Sequence, residues 1–282
     1  MPTRRRGIEL KTGAELRAMR SAGLVVAEAL AAMARAAVPG ATTGDLDGLA
    51  RSILTRHGAA SSFLGYGQPP FPAVICASVN DEVVHGIPGA RVLAPGDLVS
   101  VDFGAIVDGW HGDAAVTIEV GAVPDDRQRL SQVTEEALWA GLAAVQPGGR
   151  LSDISHAVER SVRSSVRPDG GAWGILREYG GHGIGTQMHM QPHILNYGPP
   201  GRGPRLRPGM ALAIEPMVTL GSDDVGLAPD EWTVVTLDGA ASAHWEHTVA
   251  VTEDGPWVLT EQDGGASRFA ELGVPSPAAE RS

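Results

Sequence analysis

Apolar and polar positions follow two rhythms along this chain, one helical and one strand-like, and they come in the same order twice. Thr12-Gly13-Ala14-Glu15 has the form of a capping box, and the apolar positions that follow keep helical spacing until Pro39-Gly40. A long amphipathic helix is expected there. A second is expected over residues 45–57, with Gly58 as its stop. The texture then changes. Residues 61–72 form a Gly/Pro/aromatic loop, followed by a strand, AVICASVN. Two longer strand-like runs, DLVSVDFGAIV and WHGDAAVTIEV, flank Asp108-Gly109, a hairpin signal.

After Pro124 the order recurs. One helix is expected over residues 127–145, ended by Pro147-Gly148-Gly149, and a second is capped near Ser152 and runs to residue 163. A glycine-rich loop follows, then a strand, MALAIEPMV, and a closing pair of runs, WTVVTLD and HWEHTVAVTE. Two helices then strands, twice over, imply an α/β (α+β) chain of two similar halves. The likeness lies in element order, not in residue identity. The small, polar, proline-containing tail is expected to be poorly ordered over residues 263–282, and a flexible start is expected over residues 1–8. That leaves residues 9–262 as a single domain.

The hairpin allows a geometric check on its acidic residues. A two-residue turn pairs Val107 with Trp110, so Asp102 faces Ala115 and Asp113 faces Gly104. Residues 102, 104, 113 and 115 then share one face, with the two aspartates as diagonal neighbours. Paired aspartates in a hairpin usually face solvent. Here the flanking residues are apolar, and a solvent-facing pair would force them out of the core, which favours ligands.

Three further residues stand in similar settings. His182 lies in the run GGHGIG, whose spacing is not that of a nucleotide cradle and after which no helix is signalled. Glu215 follows Ala211-Leu212-Ala213-Ile214, and a glutamate among apolar residues is rarely buried without a partner. Glu246 enters the apolar run TVAV by the same logic. Four carboxylates and one imidazole make a pocket that repels itself unless cations fill it, and two divalent ions neutralise it. Carboxylates bridging two ions about 3.5–4 Å apart are a recurrent hydrolase solution. His189 and His193 follow the glycine run, whereas His85 in Val83-Val84-His85-Gly86 reads by itself as a loop histidine.

Composition narrows the class. The net charge of −11 over 282 residues argues against a broad nucleic-acid or anionic-membrane surface. Cys76 is the only cysteine, so no intramolecular disulfide forms. MPTRRRGIEL is not followed by the apolar run of a signal peptide, and no stretch has the length of a membrane span. A cytoplasmic enzyme is expected. Its small second residue leads to the expectation that the mature chain begins at Pro2.

The phrases SVNDEVVHGIP, VSVDFG…DGWHGD, GGHGIG…H, AIEPM and WEHT, in this order, resemble type I methionine aminopeptidases over residues 9–260. The resemblance implies the pita-bread fold, a pseudo-twofold pair of α/β halves around a curved antiparallel sheet. It implies that Asp102 and Asp113 ligate one divalent metal (Co, Mn, Fe or Zn). Asp113 and Glu246 would bridge to a second, completed by His182 and Glu215. Metal-activated water would attack the carbonyl of an N-terminal methionine when the second residue is small, and Glu215 would help move the proton. His189 would stabilise the tetrahedral intermediate, and His85 would contact the peptide nitrogen beyond the scissile bond. Phe63, Tyr66, Phe71, Cys76 and Trp232 would hold the methionine side chain, although each also has an ordinary core reading. A monovalent cation near Asn80, Glu82 and Ser242 is implied, as are nascent polypeptide N-termini at the ribosome as substrates and a monomeric state.

Some positions depart from the family's commonest pattern. Met188 and Met190 flank His189, His244 precedes the last ligand, and the loop 67–72 is slightly longer. All are expected at the substrate rim. Three competing readings are weaker. An aminopeptidase P or prolidase carries an additional N-terminal domain, and about a hundred residues precede Asp102 here. A non-catalytic protein of this fold would have lost a ligand, and none is lost. A two-metal phosphoesterase would place Lys or Arg beside the ligands, and none is there.

Overall fold

The computed structural model describes residues 7–277. Most of the expected flexible start, the expected new terminus at Pro2 and residues 278–282 of the tail lie outside that range. Helix α1 (Gly13–Ala36) begins at the expected capping box: the Glu15 N–H donates to Thr12 Oγ1 at 3.3 Å, and the Thr12 N–H donates to the Glu15 carboxylate at 2.7 Å. Helix α2 (Thr43–His57) starts two residues earlier than expected because Thr42 and Asp45 form a second box, and Gly58 ends it with φ of 61°. Helices α3 (Asp125–Ala143) and α4 (Leu151–Ser164) follow. The cap of α4 is Arg150 rather than Ser152. The Arg150 N–H donates to the Asp153 carboxylate at 2.7 Å, and Ser152 Oγ instead accepts from the Arg202 N–H.

Strands β1 (Ala60–Ser61), β2 (Ile75–Val79) and β3 (Glu82–Val84) lead into the hairpin of β4 (Leu98–Val107) and β5 (Trp110–Glu119). Asp108 and Gly109 both take positive φ, 49° and 80°, as a two-residue primed turn requires. The expected register holds along the whole hairpin, from Val107 opposite Trp110 to Leu98 opposite Glu119. Beyond α4 come β6 (Gly174–Ile175), β7 (Gly181–Gly183), β8 (Met190–Ile194) and β9 (Ala211–Ile214). They are followed by β10 (Met217–Thr219), β11 (Val225–Leu227), β12 (Val234–Thr236), β13 (Ser242–His244), β14 (Glu246–Thr252), β15 (Gly255–Val258) and helix α5 (Ala266–Glu271).

One antiparallel sheet runs in the order β1-β4-β5-β14-β9-β7-β8, with β2 also on β4 and β15 on β14. Its two halves meet where β5 pairs with β14. Each half has its own core. Val26, Leu30, Leu46 and Ile53 of α1 and α2 pack on the first, around Phe103. Leu138, Leu142 and Ile154 of α3 and α4 pack on the second, around Leu212 and Val249. The two halves read from element order are therefore present as two helix-on-sheet layers sharing one sheet. Among the described residues no helix is long and apolar enough to cross a membrane.

Three expectations are corrected. The run MALAIEPMV is two strands, broken at Glu215-Pro216 because proline has no N–H to give the ladder. β9 stays in the main sheet, whereas β10 pairs with β13 and β6 in a smaller one. The run WTVVTLD does not pair with β14; β12 joins β3 and β11 in a third sheet. Finally, the supposed tail is built into the fold through residue 277. α5 seats Phe269 with no exposed surface in the second core, edge-on to Trp139 at 5.6 Å between ring centroids. One aromatic residue amid small polar ones was too sparse a signal to register as an element. Phe269→Ala is expected to destabilise the protein by about 3–5 kcal/mol in denaturant unfolding, as for other buried phenylalanines. A change below about 1 kcal/mol would mean that α5 is not part of the core.

Candidate metal centre and adjoining pocket

The register places the five expected ligands on one face of the sheet, in two neighbouring rows. In the first row Asp102 faces Ala115, and Ala115 faces Glu246. Glu215 extends this row one residue past β9, whose Ile214 faces His247. In the second row Gly104 faces Asp113. Thr248 Oγ1 accepts from the Asp113 N–H at 3.1 Å and donates to the Asp113 C=O at 2.8 Å. Thr248 in turn faces Ala213, and Ala213 faces His182. Each strand contributes residues two apart, so both rows point the same way. Between the ligands stand Ala115, Gly104 and Ala213, which leave the space above them open. Gly181 and Gly183 flank His182 because any Cβ there would collide with the carbonyls of Ala213 and Gln191.

Electrostatics make this arrangement untenable without a counter-charge. Asp113 and Glu246 are buried, and Glu215 keeps only 13% of its side chain exposed. Asp102 Oδ1, Asp113 Oδ1 and Glu246 Oε1 are buried without a hydrogen-bond donor. Such orphaned oxygens are costly unless something else satisfies them. Burial raises the Asp102 carboxyl to about 7. Burial, reinforced by the neighbouring carboxylates, drives Asp113, Glu215 and Glu246 well above the ordinary range. Burial also lowers His182 to about 3 and His244 to about 3, so both imidazoles are neutral lone-pair donors near neutral pH. His182 Nε2 lies 3.5 Å from Glu215 Oε1; with the ring neutral this is not an ion pair. One donor atom each from Asp113, His182 and Glu246 falls within 4.8 Å of the others, and so does one each from Glu215, His244 and Glu246. Hard carboxylate oxygens with neutral imidazole nitrogens suit divalent first-row cations.

Beside the carboxylates lies a cavity of about 90 Å³. Its walls include all five residues expected to hold a side chain, namely Phe63, Tyr66, Phe71, Cys76 and Trp232. Phe71 and Trp232 meet edge to face at 5.2 Å, and the Trp232 indole N–H donates to the Pro69 C=O. Cys76 is a buried wall whose thiol is pushed up by burial and by Asp102. His189 Nδ1 lies 2.6 Å from the Tyr66 hydroxyl, and its ring stands edge-on to His182 at 4.4 Å. His85 sits in the left-handed region with φ of 61°, between the Tyr179 and Trp232 rings, and burial lowers it to about 4. A second cavity of about 540 Å³ shares His85, His182, His189 and Glu215 with the first.

Two residues expected at the rim are not there. Met188 is buried and packs with Phe63, Phe71 and Cys76, while His244 is buried beside Glu215 and Glu246. Met190 does line the second, outer cavity. Thr248 escaped the sequence reading altogether; its signal was a hydroxyl two residues from Glu246 in an apolar strand, hence on the same face. Asn80, Glu82 and Ser242 do come together, with Ser242 Oγ donating to the carbonyls of Asn80 at 3.3 Å and Glu82 at 3.0 Å.

Buried carboxylates and a neutral imidazole, ranked across a sheet shared by two halves, define a metal-dependent hydrolase. The sequence matches the model of metallopeptidase family M24 over residues 17–253. It is 55% identical to methionine aminopeptidase 1 of Mycobacterium tuberculosis over 257 residues, 91% of this chain and 96% of that protein. The crystal structure of methionine aminopeptidase from Thermotoga maritima matches with a TM-score of 0.86 at 42% identity, covering 91% of this chain and 100% of that one. Prolidase from Pyrococcus furiosus shares the pita-bread fold at a TM-score of 0.70 but only 20% identity, and 65% of its length is covered. The chain belongs to metallopeptidase family M24 and, within it, to the methionine aminopeptidases rather than the prolidases. Its Asp/His/Glu cluster is accordingly a divalent-metal site.

The raised carboxyls fix the sign of a pH effect. A group held above its unfolded value contributes stability that is full below the unfolded value, near pH 4, and lost as pH rises through the folded one, near 7 for Asp102. Bound cations hold these groups ionised and cancel that loss. The gap in Tm between metal-loaded and metal-stripped protein is therefore expected to widen from about pH 5 to about pH 8, with protons released on metal uptake. A gap that narrows with rising pH would contradict the self-repelling site.

Proposed function

We propose that this chain removes the N-terminal methionine from nascent polypeptides whose second residue is small. It would act in the cytoplasm as a monomer, on chains leaving the ribosome. The observation that carries the reading is one cavity walled on one side by the five carboxylate and imidazole ligands and on the other by Phe63, Phe71, Met188 and Trp232. The chamber of about 90 Å³ is on the scale of a single side chain rather than of a peptide. Asp102, Asp113, His182, Glu215 and Glu246 would hold two divalent ions, of Mn, Fe, Co or Zn. Such ions supply Lewis acidity at a carbonyl oxygen and bring water into its reactive range near neutral pH.

The protein's own groups would do the rest. The apolar wall excludes water and orients the methionine side chain. With the Tyr66 phenol donating to His189 Nδ1, 2.6 Å away, the His189 proton would sit on Nε2. That is the form able to donate to the oxygen of a tetrahedral intermediate. Glu215 would carry a proton toward the departing amine, and neutral His85 would contact the nitrogen beyond the scissile bond. His85, His182, His189 and Glu215 line both cavities, so the residue after the methionine would lie among them. The carbonyls gathered at Asn80 and Glu82, with Ser242, would serve a monovalent cation.

The test is release of free methionine from Met-Ala-Ser and Met-Lys-Ser by metal-stripped protein with and without Mn²⁺ or Co²⁺. Metal-dependent cleavage of the first alone is expected. Failure to cleave either, with metal bound, would point to another substrate within the fold. His182→Ala is expected to abolish turnover even at saturating metal while leaving the fold intact by circular dichroism. His189→Ala is expected to lower kcat by about 10²–10³, as for loss of an oxyanion donor, with metal content unchanged. Loss of metal from that variant would mean that ligand and donor have been exchanged.

A further inference from the structure

His244 was expected at a pocket rim, yet it is buried within the site and its backbone is firmly held. It ends β13, opposite Met217, and only 2% of it is exposed. Its backbone is pinned on both sides. The His244 N–H donates to Ser100 Oγ at 3.2 Å and Thr117 Oγ1 at 3.0 Å, and the Thr117 hydroxyl donates to its C=O at 2.8 Å. Ser100 and Thr117 face each other across the hairpin, with their hydroxyls 2.9 Å apart. The ring has no such partner at its tip. Nε2 is buried and makes no hydrogen bond, lying 3.8 Å from Glu246 Oε2 and 3.9 Å from Glu215 Oε2.

These separations are too long for hydrogen bonds. They match the spacing of donor atoms around a common ion, since ligands at about 2.0–2.2 Å lie roughly 3–4 Å from one another. The Nε2 of His182 stands at a similar 3.5 Å from Glu215 Oε1. Each imidazole also closes a compact triad, His182 with Asp113 and Glu246, His244 with Glu215 and Glu246, and Glu246 belongs to both.

Resting on the metal-centre reading above, we propose that His244 Nε2 is a sixth ligand. It gives the centre a second imidazole on its Glu215–Glu246 edge. The centre is then less purely carboxylate, and its preference moves from Mn²⁺ toward the metals that favour nitrogen, such as Co²⁺ and Zn²⁺.

The test uses full-length, metal-stripped protein and Co²⁺ alone. Proton NMR in water counts the paramagnetically shifted, exchangeable imidazole N–H signals, one per ligating histidine. Two signals are expected from the unaltered protein and one from His244→Gln. The variant is also expected to bind Co²⁺ about 10–100-fold more weakly, with a smaller loss for Mn²⁺. A single signal from the unaltered protein with two Co²⁺ bound would overturn the sixth ligand and leave the metal centre standing. No Co²⁺ uptake would overturn both. The count on unaltered protein decides even where His244→Gln fails to fold.

Discussion

Like charges held together out of water govern this structure. Asp102, Asp113, Glu215 and Glu246 converge on one face, three of them with a buried oxygen that no donor satisfies. Such a cluster persists in a folded chain only if the surrounding structure over-determines it. Rigid antiparallel ladders do so here. Strand period two aims every ligand, and Ala115, Gly104 and Ala213 between them keep the face clear. The site is thus less a pocket decorated with acids than a sheet whose pleat has been used to hold acids apart at ionic spacing.

Hydroxyl groups help to join the halves. Thr248 ties β14 to β5 through both backbone groups of Asp113, and Ser100 with Thr117 fasten β13 beneath the hairpin. Each bonds where no regular ladder reaches, so small changes at these threonines and serines would move ligands without touching them. That places the geometry of the centre under control of residues that look unremarkable in any list of chemistry-bearing side chains.

How legible was this in the sequence? The hairpin was readable to the residue, because Asp108-Gly109 fixes the turn and the turn fixes the register. The five expected ligands and the five expected pocket residues line one cavity, the latter expected through resemblance rather than through pattern. What was not legible depended on tertiary context. The break at Pro216 separates two strands into different sheets, and proline alone does not say where the chain goes next. The burial of Phe269 needed a partner, Trp139, more than a hundred positions away in sequence. His244 and Met188 were misplaced for the same reason: their depth is set by β13 and by the aromatic wall, neither visible in local periodicity.

The position of β14 in the sheet has a consequence for how this protein is made. It lies at the centre, between β5 and β9, yet it is nearly the last strand in the chain. Until residue 246 has been synthesised, β5 presents an open edge of unpaired backbone groups, the kind of surface on which strands of other chains add. Of the five expected ligand positions, Asp102 and Asp113 already stand in the β4–β5 hairpin, and Glu246 is the last to be made. Synthesis therefore passes through a long interval in which the first half is shaped but not closed and the Asp/His/Glu cluster still lacks Glu246, so late pairing at the centre completes the sheet and the cluster together.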